Sequence, residues 1–137
     1  MAENIKLEIV APDKLVVDDQ AQIVMAPGSE GEFGILSGHT PFLTSLKIGA
    51  VTYKDASGTE RLVFVSGGFS EALPNKVTIL AESAERRRDI DEDRAKEAMK
   101  RAEERLVSGK SDEVDFLRAQ AALTRAIHRL RVKGHVI

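Results

Sequence analysis

The pattern of residues changes near position 84, and this change limits the chain to a β part followed by an α part. Before it, apolar and polar residues alternate, as in Ile5–Ile9, which is the period of a half-buried strand. After it, Ala, Glu, Arg, Lys and Leu predominate, and all of these are good helix formers. We therefore divide the chain into a β domain at residues 1–84 and a helical domain at residues 85–137.

The β domain contains several short strands with no helix between them. Turn residues at 55–58 and 73–76 have the Asp, Pro, Asn and Gly content of hairpin connections. This arrangement predicts an all-β sandwich or flattened barrel. The predicted strands are 5–9, 15–17, 23–25, 62–65 and 77–81.

The helical domain is predicted to form two helices, at about 90–107 and about 112–132. Asp89 or Asp91 caps the first helix, and Ser111 caps the second. Gly109, after Ser108, ends the first helix, and Gly134 ends the second. Because the connection is short, we expect an antiparallel hairpin.

The apolar stripes of the two helices are thin, which predicts a hairpin of marginal stability. Alanine allows close approach but buries little area, and burial contributes only about 25 cal/mol per Å². The predicted stripes are Ala95, Ala98, Met99, Ala102 and Leu106 on the first helix, and Phe116, Ala119, Leu123, Ile127 and Leu130 on the second.

Composition excludes several classes of protein. A net charge of −2 disfavours a nucleic-acid-binding domain, and the absence of cysteine excludes disulfides and thiolate metal sites. No secretory signal and no apolar run of the roughly 20 residues needed to span a bilayer is evident, so a soluble protein is expected.

Few residues have the pattern of a catalytic or metal site. His39 is expected to make structural hydrogen bonds, and the spacing of His128 and His135 does not suit a metal ion. The Ser66-Gly67-Gly68 stretch lacks the Lys-Ser/Thr of a phosphate-binding loop, so its glycines are interpreted as packing or turn residues. No set of nucleophile, base and orienting residue stands out in the sequence.

Arginines form one stripe along each predicted helix. Arg94, Arg101 and Arg105 have the same spacing as Arg118, Arg125 and Arg129, and each set falls on one helix face. Glu97 is placed to pair with Arg101.

The second helix lacks such compensation. No acidic residue lies three or four positions from Arg125 or Arg129, and residues 116–137 contain five basic and no acidic residues. Because guanidinium groups pair well with carboxylates and phosphates, we expect an acidic protein surface, a nucleotide, or both in different states, to bind this helix.

Three motifs together resemble one known family. They are PGSEGEFGILSGHTP at 27–41, VSGGFSE at 65–71 and IDEDRA at 90–95. The chain resembles the epsilon subunits of bacterial F-type ATP synthases over nearly its whole length, including the order of β part and helical hairpin.

The resemblance implies a non-catalytic rotor subunit, peripheral on the cytoplasmic face of the bacterial plasma membrane. In this family the β domain contacts the gamma subunit and the c-subunit ring and transmits rotation, and here Glu32, Gly38 and His39 would form the interface loop. The extended hairpin inhibits ATP hydrolysis, and Arg118, Arg125 and Arg129 would meet an acidic segment of the catalytic beta subunit.

The resemblance also implies a regulatory ATP site on the folded hairpin, with no required cofactor and no metal. An alternative is a stand-alone ATP-sensing protein, and a nucleic-acid-binding hairpin is disfavoured by the acidic charge and the few aromatic residues. The residues implied for ATP are Glu85, Ile90, Asp91, Arg94, Ala95, Arg101, Arg118, Arg125 and Arg129.

Overall fold

The computed structural model describes residues 3–108 and 112–134, which form a β-sandwich followed by two helices. The chain divides into two compact units, Met1–Arg87 and Arg88–Ile137. This boundary lies slightly beyond the one expected from the sequence, because residues 84–86 form a further short strand of the first unit.

The first unit contains seven strands. They are β1 (Ile5–Ala11), β2 (Lys14–Gly28), β3 (Gly31–Ile35), β4 (Phe42–Asp55), β5 (Glu60–Leu73), β6 (Lys76–Ala81) and β7 (Ala84–Arg86). The hydrogen-bonded order is β1-β6-β5-β4-β2-β3, and β1 also pairs with β2. The sheet therefore closes on itself, which confirms the predicted sandwich or flattened barrel.

The long strands bend so that each contributes to both halves of the sandwich. At about 3.3 Å per residue, the 14 residues of β5 would extend about 45 Å if the strand were straight. Instead, Gly67 and Gly68 have φ angles of 76° and 119°, a region that side chains disfavour. A Cβ at Gly68 would also overlap the carbonyl oxygen of Leu80.

The bend in β5 allows one edge of this strand to hold two others. Residues 68–73 of β5 pair with β6, whereas Val63–Val65 pair with β7. Between them, the amide of Ser66 donates to the carbonyl of Ser83 over 2.9 Å. The interpretation of these glycines as packing and turn residues is confirmed.

The core of the sandwich is aliphatic and comes from inward positions of nearly every strand. Alternation in β1 is strict, since Ile5, Leu7 and Ile9 are all fully buried. The largest other fully buried side chains of this unit are Val17, Val24, Ile35, Val51, Tyr53, Val63, Phe64 and Ile79.

The second unit is the helical hairpin, with α1 at Glu92–Ser108 and α2 at Glu113–Lys133. Asp91, not Asp89, caps α1, because its Oδ1 accepts a hydrogen bond from the amide of Arg94 at 3.0 Å. Asp112 caps α2 in the same way, accepting from the amide of Asp115 at 2.9 Å. The predicted caps Ser111 and Gly109 lie outside the described residues.

The other end of α2 is as predicted. Gly134 has φ 108° and its amide donates to the carbonyls of Leu130 and Arg131.

The predicted helix stripes are correct in part. Ala95, Ala102, Ala119 and Leu130 are buried, and Ala98, Met99, Leu106, Leu123 and Ile127 are half-buried. The prediction is wrong for Phe116, which is 47% exposed. Ala126 and Val132 are buried instead, because the face of α2 is wider than the single stripe assumed.

The tip of the β4–β5 hairpin depends on one carboxylate. Asp55 Oδ1 accepts hydrogen bonds from the Ser57 hydroxyl at 2.7 Å and from the amides of Ser57 and Thr59, while Arg61 Nε donates to Oδ2 at 3.1 Å. These interactions, the Ser57 hydroxyl foremost, lower the pKa of Asp55 from 3.8 to about 2.

We predict that Asp55→Asn changes the pH dependence of the free energy of unfolding. A pKa that is lower in the folded protein means that the ionised carboxylate stabilises the fold above about pH 4, and that this contribution is lost as the pH falls towards 2. Urea unfolding between pH 2 and 6 should therefore show a difference between wild type and variant that is constant above pH 5 and shrinks below pH 4. Ser57→Ala should reproduce part of this effect. Parallel pH profiles for wild type and Asp55→Asn would contradict the prediction.

Candidate functional site

The expected interface loop is held in place at both of its ends. The amide of Gly38, which has φ 83°, donates to the carbonyl of Pro74 at 2.7 Å. The imidazole of His39 packs edge-on against Phe42 at 4.9 Å, and Phe42 packs against Phe33 at 5.2 Å. The loop is thus preorganised by aromatic contacts.

The expected loop residues have different positions. His39 Nδ1 hydrogen bonds with the carbonyl of Thr40 at 2.6 Å, which agrees with a structural role. Glu32 lies in β3, opposite Pro27, and is exposed. Leu36 is also exposed at this end of the sandwich. A partner approaching the loop would meet one carboxylate and one aliphatic side chain.

An apolar face covers the outside of β1, β6, β5 and β4. Phe69 on β5 is directly opposite Leu80 on β6, and Leu80 is opposite Val10 on β1. Leu43 on β4 completes the set. Leu43, Phe69 and Leu80 are 69%, 57% and 56% exposed. We call Val10, Leu43, Phe69 and Leu80 the apolar face.

The residues of the apolar face line two adjoining shallow depressions that share Phe69 and Leu80. Single exposed apolar residues are common, but a contiguous patch marks an interaction surface. The sequence did not separate core phenylalanines from interface ones. The structure does, since Phe64 is fully buried and Phe69 is exposed.

Charged groups surround the apolar face. Glu8 lies one row away and is bound at 3.3 Å by both Lys76 and Lys6, whose hydrogen bonds lower its pKa. Glu71 lies between Leu43 and Thr78 across the strands, and its carboxylate makes no ion pair or hydrogen bond with another described side chain. A partner for this face therefore needs apolar side chains and at least one basic group.

The hairpin presents its arginines in three different environments. Arg101 lies 3.9 Å from Glu97, as predicted, and Arg118 lies 4.0 Å from Asp115. Arg94, Arg101 and Arg118 are exposed, whereas Arg125 and Arg129 are half-buried. Exposed pairs of this kind contribute well under 1 kcal/mol, so Arg101 and Arg118 remain available to a partner.

Arg125 and Arg129 differ in their contacts within the described part of the chain. Arg129 takes part in a polar, electrostatic or ring interaction inside the chain. The sequence rule counts only acidic residues three or four positions away on the same helix, and it overlooks every other kind of partner. The guanidinium of Arg125 makes no hydrogen bond or ion pair within residues 3–108 and 112–134.

The residues expected to bind ATP have clear structural roles of their own. Asp91 caps α1, and the buried Ile90 and Ala95 flank this cap. All the expected ATP residues lie in the hairpin unit except Glu85, which lies in β7 opposite Phe64. The antiparallel packing of α1 and α2 brings the start of α1, with Arg94, alongside the end of α2, with Arg125 and Arg129.

Metal or membrane-spanning features are not found in the part of the chain that the structure describes. It contains no group of three or more His, Cys, Asp or Glu side chains placed to hold a metal ion. None of its helices is both long and apolar enough to cross a bilayer. The closed sandwich followed by a helical hairpin defines the class of fold to which the chain belongs.

Comparisons with known proteins identify the family. The β-sandwich domain of the ATP synthase delta/epsilon chain matches residues 4–87, and the long α-helix domain of the same chain matches residues 88–134. The chain belongs to this family of ATP synthase subunits, which confirms the resemblance and the expectation of a non-catalytic ATP synthase subunit.

Individual relatives agree over the full length. The chain is 64% identical to the ATP synthase epsilon chain of Desulforapulum autotrophicum over 96% of this chain and 97% of that one. It is 58% identical to the ATP synthase epsilon chain of Nitratidesulfovibrio vulgaris over 98% and 99% of the two chains. A chain of the mitochondrial ATP synthase of Euglena gracilis has the same fold, with a TM-score of 0.82 at 23% identity, over 98% of this chain and 84% of that one.

Proposed function

We propose that this chain is the central-stalk subunit that couples the c-subunit ring to the catalytic head of a proton-translocating ATP synthase. In this proposal the sandwich is fixed to the gamma subunit and the ring, and the hairpin regulates hydrolysis. The subunit is peripheral on the cytoplasmic face of the bacterial plasma membrane. Family membership supports the assembly, and the apolar face supports the mode of attachment.

The apolar face is the observation that carries the proposal. Its side chains stay solvent-exposed in the isolated chain, although burying a Leu or Phe contributes about 1.5–3 kcal/mol. The carboxylate of Glu71 within it gives specificity for a basic group on the partner. We assign this face to the gamma subunit.

The preorganised loop is assigned to the ring. Glu32, Gly38 and His39 lie at the end of the sandwich where β3 leads into β4, and the loop spends little entropy on ordering because Phe33, Phe42 and Pro74 already fix it. A fixed loop suits a contact that must transmit torque.

We predict that Leu80→Glu in the full chain reduces co-purification with the gamma subunit at least tenfold. A carboxylate at the centre of an apolar contact is desolvated without a partner and repelled by Glu71, whereas in the free chain it points into water.

Val107→Glu is the matched control, because Val107 is 85% exposed and belongs to α1 in the second unit, not to the apolar face. Phe69→Ala should weaken gamma binding without adding charge. Recovery of gamma at the wild-type level by folded Leu80→Glu and Phe69→Ala chains would overturn the assignment.

The hairpin is proposed to inhibit ATP hydrolysis through Arg118, Arg125 and Arg129 on α2. An acidic segment of the catalytic beta subunit would supply the carboxylates that α2 itself lacks around Arg125. The folded hairpin is proposed to bind ATP as a regulatory ligand, because the antiparallel helices bring Arg94 to the same end as Arg125 and Arg129. The alternative, a stand-alone ATP sensor, requires that the hairpin bind ATP but not that it inhibit ATP hydrolysis.

We predict that replacing Arg118, Arg125 and Arg129 together by Gln raises ATP hydrolysis by the reconstituted enzyme severalfold. The matched control replaces Lys96, Lys100 and Arg105 on α1, which removes the same charge and leaves hydrolysis inhibited. Calorimetry with ATP on the isolated chain distinguishes the two functions.

Loss of ATP heat with unchanged hydrolysis would favour the stand-alone sensor. Wild-type behaviour of the α2 variant in both assays would contradict the proposed role of these arginines.

A further inference from the structure

The last strand of the sandwich, β7, is short and places one side chain, that of Ala84, in the core. It contains only Ala84, Glu85 and Arg86, and it pairs with β5 along Val63–Val65. Isolated short strands fray unless side chains add to their pairing. β7 nevertheless carries the chain out of the first unit, since the unit ends at Arg87.

The side chain of Arg86 adds a long-range attachment to β7. Its Nε donates to the carbonyl oxygen of Val16 on β2 at 2.9 Å, a contact that spans 70 positions of sequence. The end of β7 is thereby attached to β2, a strand with which β7 does not pair.

A second contact places Arg86 beside a buried hydroxyl. Tyr53 on β4 is 1% exposed, and its hydroxyl donates to Asp19 Oδ2 at 3.1 Å. Burial raises the pKa of Tyr53 and the hydrogen bond to Asp19 adds to the rise, while the neighbouring Arg86 guanidinium opposes it. Arg86, Tyr53 and Asp19 thus form one polar cluster that joins β7, β4 and β2.

The next fixed point along the chain is the cap of α1. Asp91 accepts hydrogen bonds from the amide of Arg94 on its side chain and from the amide of Ala95 on its carbonyl, each at 3.0 Å. Between the two fixed points lie a 3-10 turn at Arg87–Asp89, whose residues are exposed, and Ile90. The segment that joins the two units is therefore no longer than 87–90.

We infer that Arg86 is a positioning residue that clamps β7 to the sandwich and so limits the tether between the units to residues 87–90. Without the clamp, β7 frays and the tether lengthens to include residues 84–86. A longer tether lowers the effective concentration of the hairpin at any docking site. Its expected effect on ATP hydrolysis therefore rests on the proposed regulatory function of the hairpin.

Hydrogen exchange on the isolated full chain tests the clamp itself. Arg86→Met removes the donor and keeps a side chain of similar length, and Arg88→Met is the matched control, because Arg88 is exposed and lies only 4.0 Å from its neighbour Asp89. We expect the amides that pair β7 with β5 to exchange at least tenfold faster in Arg86→Met, with β1 and β2 unchanged, and wild-type exchange in Arg88→Met.

Tyr53→Phe is an independent variant. It removes the hydroxyl beside Arg86, and with it the hydrogen bond that this hydroxyl donates to Asp19 Oδ2. The same amides should exchange faster in it. Wild-type exchange of β7 in both Arg86→Met and Tyr53→Phe overturns the clamp, and so does an acceleration spread equally over all strands.

ATP hydrolysis by the reconstituted enzyme tests the consequence separately. From the length dependence of effective concentration, lengthening the tether from 87–90 to 84–90 should weaken inhibition about twofold. If β7 exchanges fast in Arg86→Met while ATP hydrolysis stays inhibited as in wild type, the clamp is supported and its effect on regulation is overturned. Absence of inhibition by the wild-type chain refutes the proposed function, while the exchange data still decide on the clamp.

Discussion

The bend at Gly67 and Gly68 is the constraint on which the rest of the molecule depends. Both residues have positive φ angles, which turn β5 so that one of its edges pairs with β7 before the bend and with β6 after it. No side chain fits at Gly68, because its Cβ would overlap the carbonyl oxygen of Leu80. Two features follow from this bend. Phe69, the next residue, is turned outward opposite Leu80 and forms the centre of the apolar face. β7, on the other side of the bend, starts the path to the hairpin. The attachment surface and the exit of the chain are thus set by one backbone feature.

The two units bury different kinds of side chain. The sandwich has a continuous core of fully buried aliphatic side chains, whereas the seam of the hairpin includes Ala95, Ala102, Ala119 and Ala126. At about 25 cal/mol per Å², alanine contributes much less than Leu or Ile. A rigid sandwich suits a part that transmits rotation. The hairpin, which is proposed to exchange between binding partners, buries mainly small side chains along its seam.

The sequence predicts those features that depend on local pattern. Alternation identified β1 and the β class, turn residues located both hairpin connections, and Asp91 and Gly134 were recognised as caps. β4 was not predicted, because its buried positions change phase between Leu46 and Gly49. The apolar face was missed for another reason: nothing in a sequence distinguishes an exposed Phe69 from a buried Phe64. Arg129 shows the same limit, since its interaction is not evident from neighbours on its own helix.

The central claim is that this chain couples rotation to proton flow and restrains hydrolysis, without catalysing either. The most direct measurement uses membrane vesicles with an ATP synthase from which this subunit has been removed, and follows ATP-driven acidification and phosphate release together. Adding back the full chain should restore acidification and lower phosphate release. If the chain rebinds and neither quantity changes, the account is contradicted.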